Sequence, residues 1–83
     1  MFKIDLDRER HAKFTLKALK KAGESAGKNY ASLKEDLSLE DVEIILWACL
    51  LKEDPDLKLE LVQNEVEMGQ LRSFIDYMSA NPT

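Results

Sequence analysis

The N-terminus alternates. Phe2, Ile4 and Leu6 are apolar, and Lys3, Asp5 and Asp7 between them are charged. Period two predicts a short strand or extended arm with one face turned inward. Such a strand needs a partner. The candidates are Arg10–Phe14, across a turn at Asp7-Arg8-Glu9, or a second molecule. The period then lengthens. Phe14, Ala18 and Ala22 recur at i, i+4 and i+8, with Leu19 beside them and Lys13, Lys17, Lys20 and Lys21 mostly on the other face. This predicts a helix from about Phe14 to Ala22, with Thr15 as N-cap and Gly23 as its stop. Gly23 to Asn29 reads as loop, and Tyr30 to Leu37 suits a short helical turn.

Ser38-Leu39-Glu40-Asp41 then reads as a capping box, with Asp41 in place of the usual Glu. Acids in a first helical turn also suit the helix dipole. Val42, Ile45, Leu46, Cys49 and Leu50 form one stripe, and Ile44, Trp47, Ala48 and Leu51 fill most of the remaining circumference. A helix apolar nearly all round must be wrapped by other elements, or must offer part of itself to a partner. Asp54-Pro55 ends it. A helix from about Leu59 to Met68 follows, broken or capped at Gly69. A last helix over Gln70–Ala80 carries Leu71, Phe74, Ile75 and Met78 on one face, with Tyr77 on its flank. The expected fold is mainly α: one domain over residues 1–83, a helical bundle of three to five helices. An arm or short β-hairpin occupies residues 1–14, helices fill 15–80, and 81–83 form a frayed tail.

Composition narrows the chemistry. At 83 residues with 45% hydrophobic and 34% charged positions, the chain is globular and small. One cysteine, Cys49, and one histidine, His11, leave no intramolecular disulfide, no Cys-rich zinc site and little scope for a Ser-His-Asp triad. The longest apolar run, Ile44–Leu51, is far short of a membrane span, and the start lacks a signal-peptide core. These features lead us to expect a soluble, cytoplasmic protein with no cofactor and no metal.

The net charge of -4 conceals a split. Residues 1–34 hold nine Lys and Arg against four acids, a net of +5, and residues 35–83 hold three against twelve, a net of -9. Such asymmetry suits a basic binding face, head-to-tail self-association, or two halves that attract each other within one fold. Arg8, Arg10, Lys13, Lys17, Lys20, Lys21 and Lys28 form a candidate nucleic-acid stripe, against which stand a sequence pI near 4.9 and no base-reading helix. Gly27-Lys28 is half a phosphate loop. Its spacing from Gly23 is one residue short and Asn29 stands where the hydroxyl belongs, so a helix cap and turn explain it better. The acids read as a solvated face, Glu53-Asp54-Pro55-Asp56 as helix-stop chemistry, Cys49 as an inert core thiol and His11 as a surface residue.

Two resemblances bear on function. Asp36-Leu37-Ser38-Leu39-Glu40-Asp41-Val42-Glu43 resembles the modification site of acyl and peptidyl carrier proteins, which implies a phosphopantetheine on Ser38. Leu37, however, stands where that motif has Asp, and the helix that follows is more apolar than a carrier's. More of the chain resembles the small tail assembly chaperones of long-tailed phages, prophages and gene-transfer-agent particles. The features are the strand-like arm, Phe14-Thr15-Leu16-Lys17-Ala18-Leu19, the Gly27-Lys28 loop, and the Ser38 helix start. Leu46-Trp47-Ala48-Cys49-Leu50 and Asp54-Pro55-Asp56-Leu57 follow. Lys58 stands where such proteins often have Thr before the next helix.

The second resemblance implies a non-enzymatic role. Such chaperones shield the apolar helices of the tape-measure protein and help recruit tail-tube subunits. Trp47, Leu51, Leu57, Leu59 and Leu61 are the expected partner-binding residues. The expected partners are the tape-measure and tail-tube proteins, with a homo-oligomer allowed by the charge split and neither a membrane nor a nucleic acid expected. The alternatives are a carrier-like domain modified on Ser38 and a small nucleic-acid-binding regulator.

Overall fold

The computed structural model describes residues 2–30 and 37–80. The helical turn expected over 30–37 lies mostly outside these residues, and the tail at 81–83 wholly so. The described residues form two strands and four helices: β1 (Phe2–Asp5), β2 (Glu9–Ala12), α1 (Leu16–Ala26), α2 (Leu39–Leu50), α3 (Leu59–Glu65) and α4 (Met68–Ala80). The fold is thus mainly helical with a short N-terminal hairpin, as the hydrophobic pattern predicts. Among the described residues no helix is long and apolar enough to cross a membrane.

The hairpin pairs β1 and β2 antiparallel, with Phe2 opposite Ala12 and Ile4 opposite Arg10. Paired residues share a face, so Ile4, Ala12 and the Arg10 side chain all turn inward. Phe2 meets the rings of Phe74 and Tyr77 on α4, at centroid distances of 5.4 and 5.5 Å. Gln70 also donates to the Asp5 carbonyl. The hairpin is therefore held to the last helix along β1. Just beyond β2, Lys13 donates its backbone N–H to the Cys49 carbonyl at 3.1 Å, which occupies a carbonyl that the end of α2 would leave unpaired.

α1 begins where expected. The Thr15 hydroxyl accepts the Ala18 N–H at 3.1 Å. It does not stop at Gly23. The helix runs to Ala26 and is capped by Gly27 in the left-handed conformation, φ 67°. Gly23 serves another purpose, because the Lys28 N–H returns to the Gly23 carbonyl and a Cβ at Gly23 would lie 2.6 Å from the Lys28 carbonyl oxygen. The residue is small because the chain folds back over it.

α2 is the centre. Val42, Ile45, Leu46, Cys49 and Leu50 are almost wholly buried, and Ile44 and Ala48 are buried with them. α1, α3, α4 and β2 all pack on it. Its N-terminus has the full capping box, with the Ser38 hydroxyl accepting the Asp41 N–H and the Asp41 carboxylate accepting the Ser38 N–H. Asp41 also accepts from the Tyr30 hydroxyl at 2.6 Å and from Lys28 Nζ at 2.9 Å, so a buried carboxylate is fully paired. These donors hold Asp41 far below its ordinary 3.8, and burial against that charge pushes the Tyr30 hydroxyl well up.

α3 is shorter than the pattern suggests. It ends at Glu65, and Val66 is extended. The cause is not Gly69 but Gln70, whose side-chain oxygen accepts the Glu67 N–H at 2.8 Å and so starts α4 at Met68, ahead of the expected Gln70. On α4, Leu71, Phe74 and Met78 are buried, whereas Ile75, expected in the same stripe, is exposed.

The two non-turn glycines should respond oppositely to alanine. Gly23→Ala should destabilise by about 1–3 kcal/mol, because overpacking against a backbone carbonyl outweighs the gain of about 1 kcal/mol in helix propensity. Gly69→Ala, where a Cβ meets nothing within 4 Å, should stabilise by up to about 1 kcal/mol. Urea denaturation of both variants checks the pair, and a stabilised Gly23→Ala would show that the return of the chain at Lys28 does not constrain this position.

Candidate partner-binding site

The cover over α2 is incomplete along one edge. Trp47 and Leu51 are half-buried there, packed against the core from outside. Trp47 donates its indole N–H to the Leu57 carbonyl at 2.8 Å, which ties α2 to the residue just before α3. Leu59 and Leu61 on α3 are also half-buried. Four of the five expected partner-binding residues therefore keep accessible apolar surface. Leu57 does not. It is 6% exposed and belongs to the core, because the turn from Asp54, closed by the Leu57 N–H on the Asp54 carbonyl, draws it inward. Leu16 on α1, Leu39 at the start of α2 and Met68 at the start of α4 are exposed as well.

Two grooves of opposite charge flank this edge. The first, of about 510 Å³, is lined by Leu57 and Leu61 together with Asp56, Glu60 and Glu65. The second, of about 640 Å³, has Ala48 and Leu51 in its lining and Lys13, Lys17, Lys21 and Lys52 around it. The α2–α3 loop divides them: Asp54 and Asp56 line the acidic groove and Pro55 the basic one. Trp47 is linked to both sides, since its N–H reaches Leu57 and Lys21 Nζ lies 5.9 Å from its ring centroid.

The acidic groove is built around a buried cation. Arg10 is 5% exposed and makes a two-pronged pair with Asp7, Nε–Oδ1 2.8 Å and Nη2–Oδ2 3.0 Å, while Nη1 reaches Asp54 Oδ2 at 3.1 Å. The two carboxylates raise Arg10 above its ordinary value, and the Arg10 guanidinium holds Asp7 at about 2. Beside this cluster His11 Nδ1 lies 2.9 Å from Glu53 Oε2, and Arg8 lies 3.8 Å from the same carboxyl group. The hairpin is thereby pinned to the loop that shapes both grooves.

The structure rearranges the other sequence candidates. The expected basic stripe loses Arg10, which is buried and paired, and Lys28 is bonded to Asp41. Arg8 and His11 are engaged with Glu53 rather than displayed alone. Lys52, in the acidic half of the chain, joins Lys13, Lys17 and Lys21 instead. Of these four, only Lys52 is absent from the stripe read in the sequence. Lys17 and Lys21 share a face of α1 at i and i+4, but no local spacing marks Lys52 as their neighbour. Ser38 is exposed, but its hydroxyl both accepts from the Asp41 N–H and donates to Asp41 Oδ2 at 3.0 Å. Cys49 is 1% exposed, and burial pushes its thiol up to about 12. Among the described residues no three His, Cys, Asp or Glu side chains gather in a way that could hold a metal ion.

Comparison with protein-family models, with curated proteins and with solved structures finds no match for this chain. The site is therefore interpreted from its own geometry.

Two outcomes follow from this arrangement. The Asp7 and Asp41 carboxylates are held below their unfolded values, so their stabilisation is complete above the ordinary 3.8 and is lost as pH falls through and below it. The thermal midpoint should fall steadily as pH drops below about 4, and Asp41→Asn should flatten part of that fall. A midpoint unchanged down to about pH 2 would contradict the pairing. Separately, Leu57→Asp should lower the midpoint severely because it buries a charge. Leu61→Asp, at a half-buried position, should cost less than half as much, and equal losses would place Leu61 in the core as well.

Proposed function

We propose that this chain is a non-enzymatic helix-binding chaperone of the kind that accompanies the tape-measure protein during phage tail assembly. The observation that carries the reading is the open edge of α2. Trp47 and Leu51, with Leu59 and Leu61 on α3, offer a strip of apolar surface bordered by charged grooves. An amphipathic helix docks on such a surface by burying its apolar face, and the charged border keeps the unoccupied protein dispersed. The resemblance of Leu46-Trp47-Ala48-Cys49-Leu50 and Asp54-Pro55-Asp56-Leu57 to the tail assembly chaperones supplies the biological setting: a cytoplasmic partner for tape-measure helices that also helps recruit tail-tube subunits. The engagement of Ser38 in the cap of α2 favours this reading over a carrier protein, since a modified serine would lose the hydrogen bond that its hydroxyl donates to Asp41.

The test is co-expression with the long reading frame expected downstream in the source genome, a protein of extended amphipathic helices. This chain should raise the fraction of that protein recovered in the supernatant several-fold, and Leu51→Asp should abolish the gain while retaining the far-UV circular dichroism of the folded chain. No gain from the unaltered chain, or a mass increase on Ser38 after incubation with a phosphopantetheinyl transferase and coenzyme A, would overturn the proposal.

A further inference from the structure

The basic groove combines two features that ordinary surface does not. Its lining residues include Ala18, Ala48, Leu51 and Pro55, which give it an apolar floor, and four lysines stand around it. All four lysines are exposed. No carboxylate lines the groove, and none of the four makes an ion pair among the described residues, although the chain carries 16 acids against 12 basic residues. Arg8, Arg10, His11 and Lys28 have each found an acid within the fold. The charges at the groove are crowded as well. The Lys13 ammonium, and Lys17 beyond it, push Lys52 below the ordinary lysine range. Gathering four like charges is unfavourable in the free protein and is relieved by an anionic occupant.

We infer that the groove bounded by Lys13, Lys17, Lys21 and Lys52 docks an acidic amphipathic helix of a partner protein, with one or two apolar side chains on the Ala48–Leu51 floor and carboxylates against the lysines. This rests on the reading of the chain as a helix-binding protein and adds the charge of what it binds. The floor decides between occupants. A nucleic-acid backbone would use the lysines but gains little from an apolar bed, and it would be repelled by the acidic groove on the other side of Pro55. A helix uses both parts: Lys17 and Lys21 stand one turn apart on α1, and Lys13 and Lys52 complete the charged lining. Trp47, close to Lys21, borders the bound segment and reports its arrival.

The experiment titrates the full chain with a synthetic helical peptide of about 18 residues carrying Leu at i, i+3 and i+4 spacing and Glu elsewhere. A second peptide keeps the Leu pattern with Lys for Glu, and a single-stranded oligonucleotide serves as third probe. Trp47 fluorescence and calorimetry read binding. The acidic peptide should bind at least about tenfold tighter than the basic one and weaken about tenfold between low and physiological-plus salt. The double variant Lys21→Glu with Lys52→Glu should lose that binding, whereas the charge-matched Lys3→Glu with Lys20→Glu should retain it, both with unchanged thermal midpoints. Equal binding of the two peptides, equal loss in the two double variants, or tighter binding of the oligonucleotide overturns the inference. So does salt-sensitive self-association that the acidic peptide fails to compete, which would make a second copy the occupant. Failure of the peptide while the co-expressed tape-measure protein is still kept in solution discards the acidic partner alone. Failure of both discards the helix-binding reading beneath it.

Discussion

One helix dictates the architecture. α2 is apolar around nearly its entire circumference, and a chain of 83 residues has little else with which to cover it. α1, α3, α4 and β2 each take a share of that surface. The hairpin contributes Ile4 and Ala12, α1 contributes Ala18, Leu19 and Ala22, and the last helix contributes Leu71, Phe74 and Met78. The small side chains on α1 matter here, since they allow its backbone to lie close to α2. What remains uncovered is determined by where these elements end. The edge at Trp47 and Leu51 is covered only in part, and it is the same edge on which the proposed function depends.

Charge is distributed by the same logic. The basic front and acidic back of the sequence meet within the fold at a small number of places. Arg10 reaches Asp54, His11 and Arg8 reach Glu53, and Lys28 reaches Asp41. Two of these contacts involve side chains almost withdrawn from water, Arg10 and Asp41, and each is satisfied by more than one partner. Such groups add specificity more than raw stability, because their desolvation offsets much of the attraction. They fix which loop the hairpin touches and where α2 begins. The charges left over are not spread evenly. They separate across Pro55 into an acidic groove and a basic one, so that the two faces beside the apolar edge differ in the partner each can accept.

The residues that declare local structure were easy to read. Ser38 with Asp41, Thr15 before its helix, the alternation at Phe2–Leu6 and the nearly all-apolar Val42–Leu51 are each recognisable from a few neighbours in sequence. Lys58, an inferior cap, indeed makes no side-chain bond at the start of α3. The misreadings all involve partners distant in the chain or competing for one role. Gly23 looks like a helix stop because nothing local shows Lys28 returning over it, while Gly27 four residues later is the true cap. Gly69 looks like a break, but the glutamine beside it sets the boundary. Leu57 alternates with Leu59 and Leu61 as though all three shared a surface, and only the turn from Asp54 buries it. The Lys52 contribution to the basic groove depends on α1 lying against the end of α2, a tertiary fact that periodicity does not encode.

Cys49 gives the covered helix an internal clock. It is the chain's only thiol, it is 1% exposed, and burial keeps it protonated at any physiological pH. An alkylating reagent consumes thiolate, so it finds a target only in molecules whose packing over α2 has momentarily lifted. The rate at which the population becomes modified is then a count of those openings, scaled by the chance that the reagent reacts before the packing closes. Because Cys49 also lies among the residues lining the basic groove, the count is taken at the site a partner would close. The breathing of the core and the occupancy of the surface are thereby recorded by one sulfur atom.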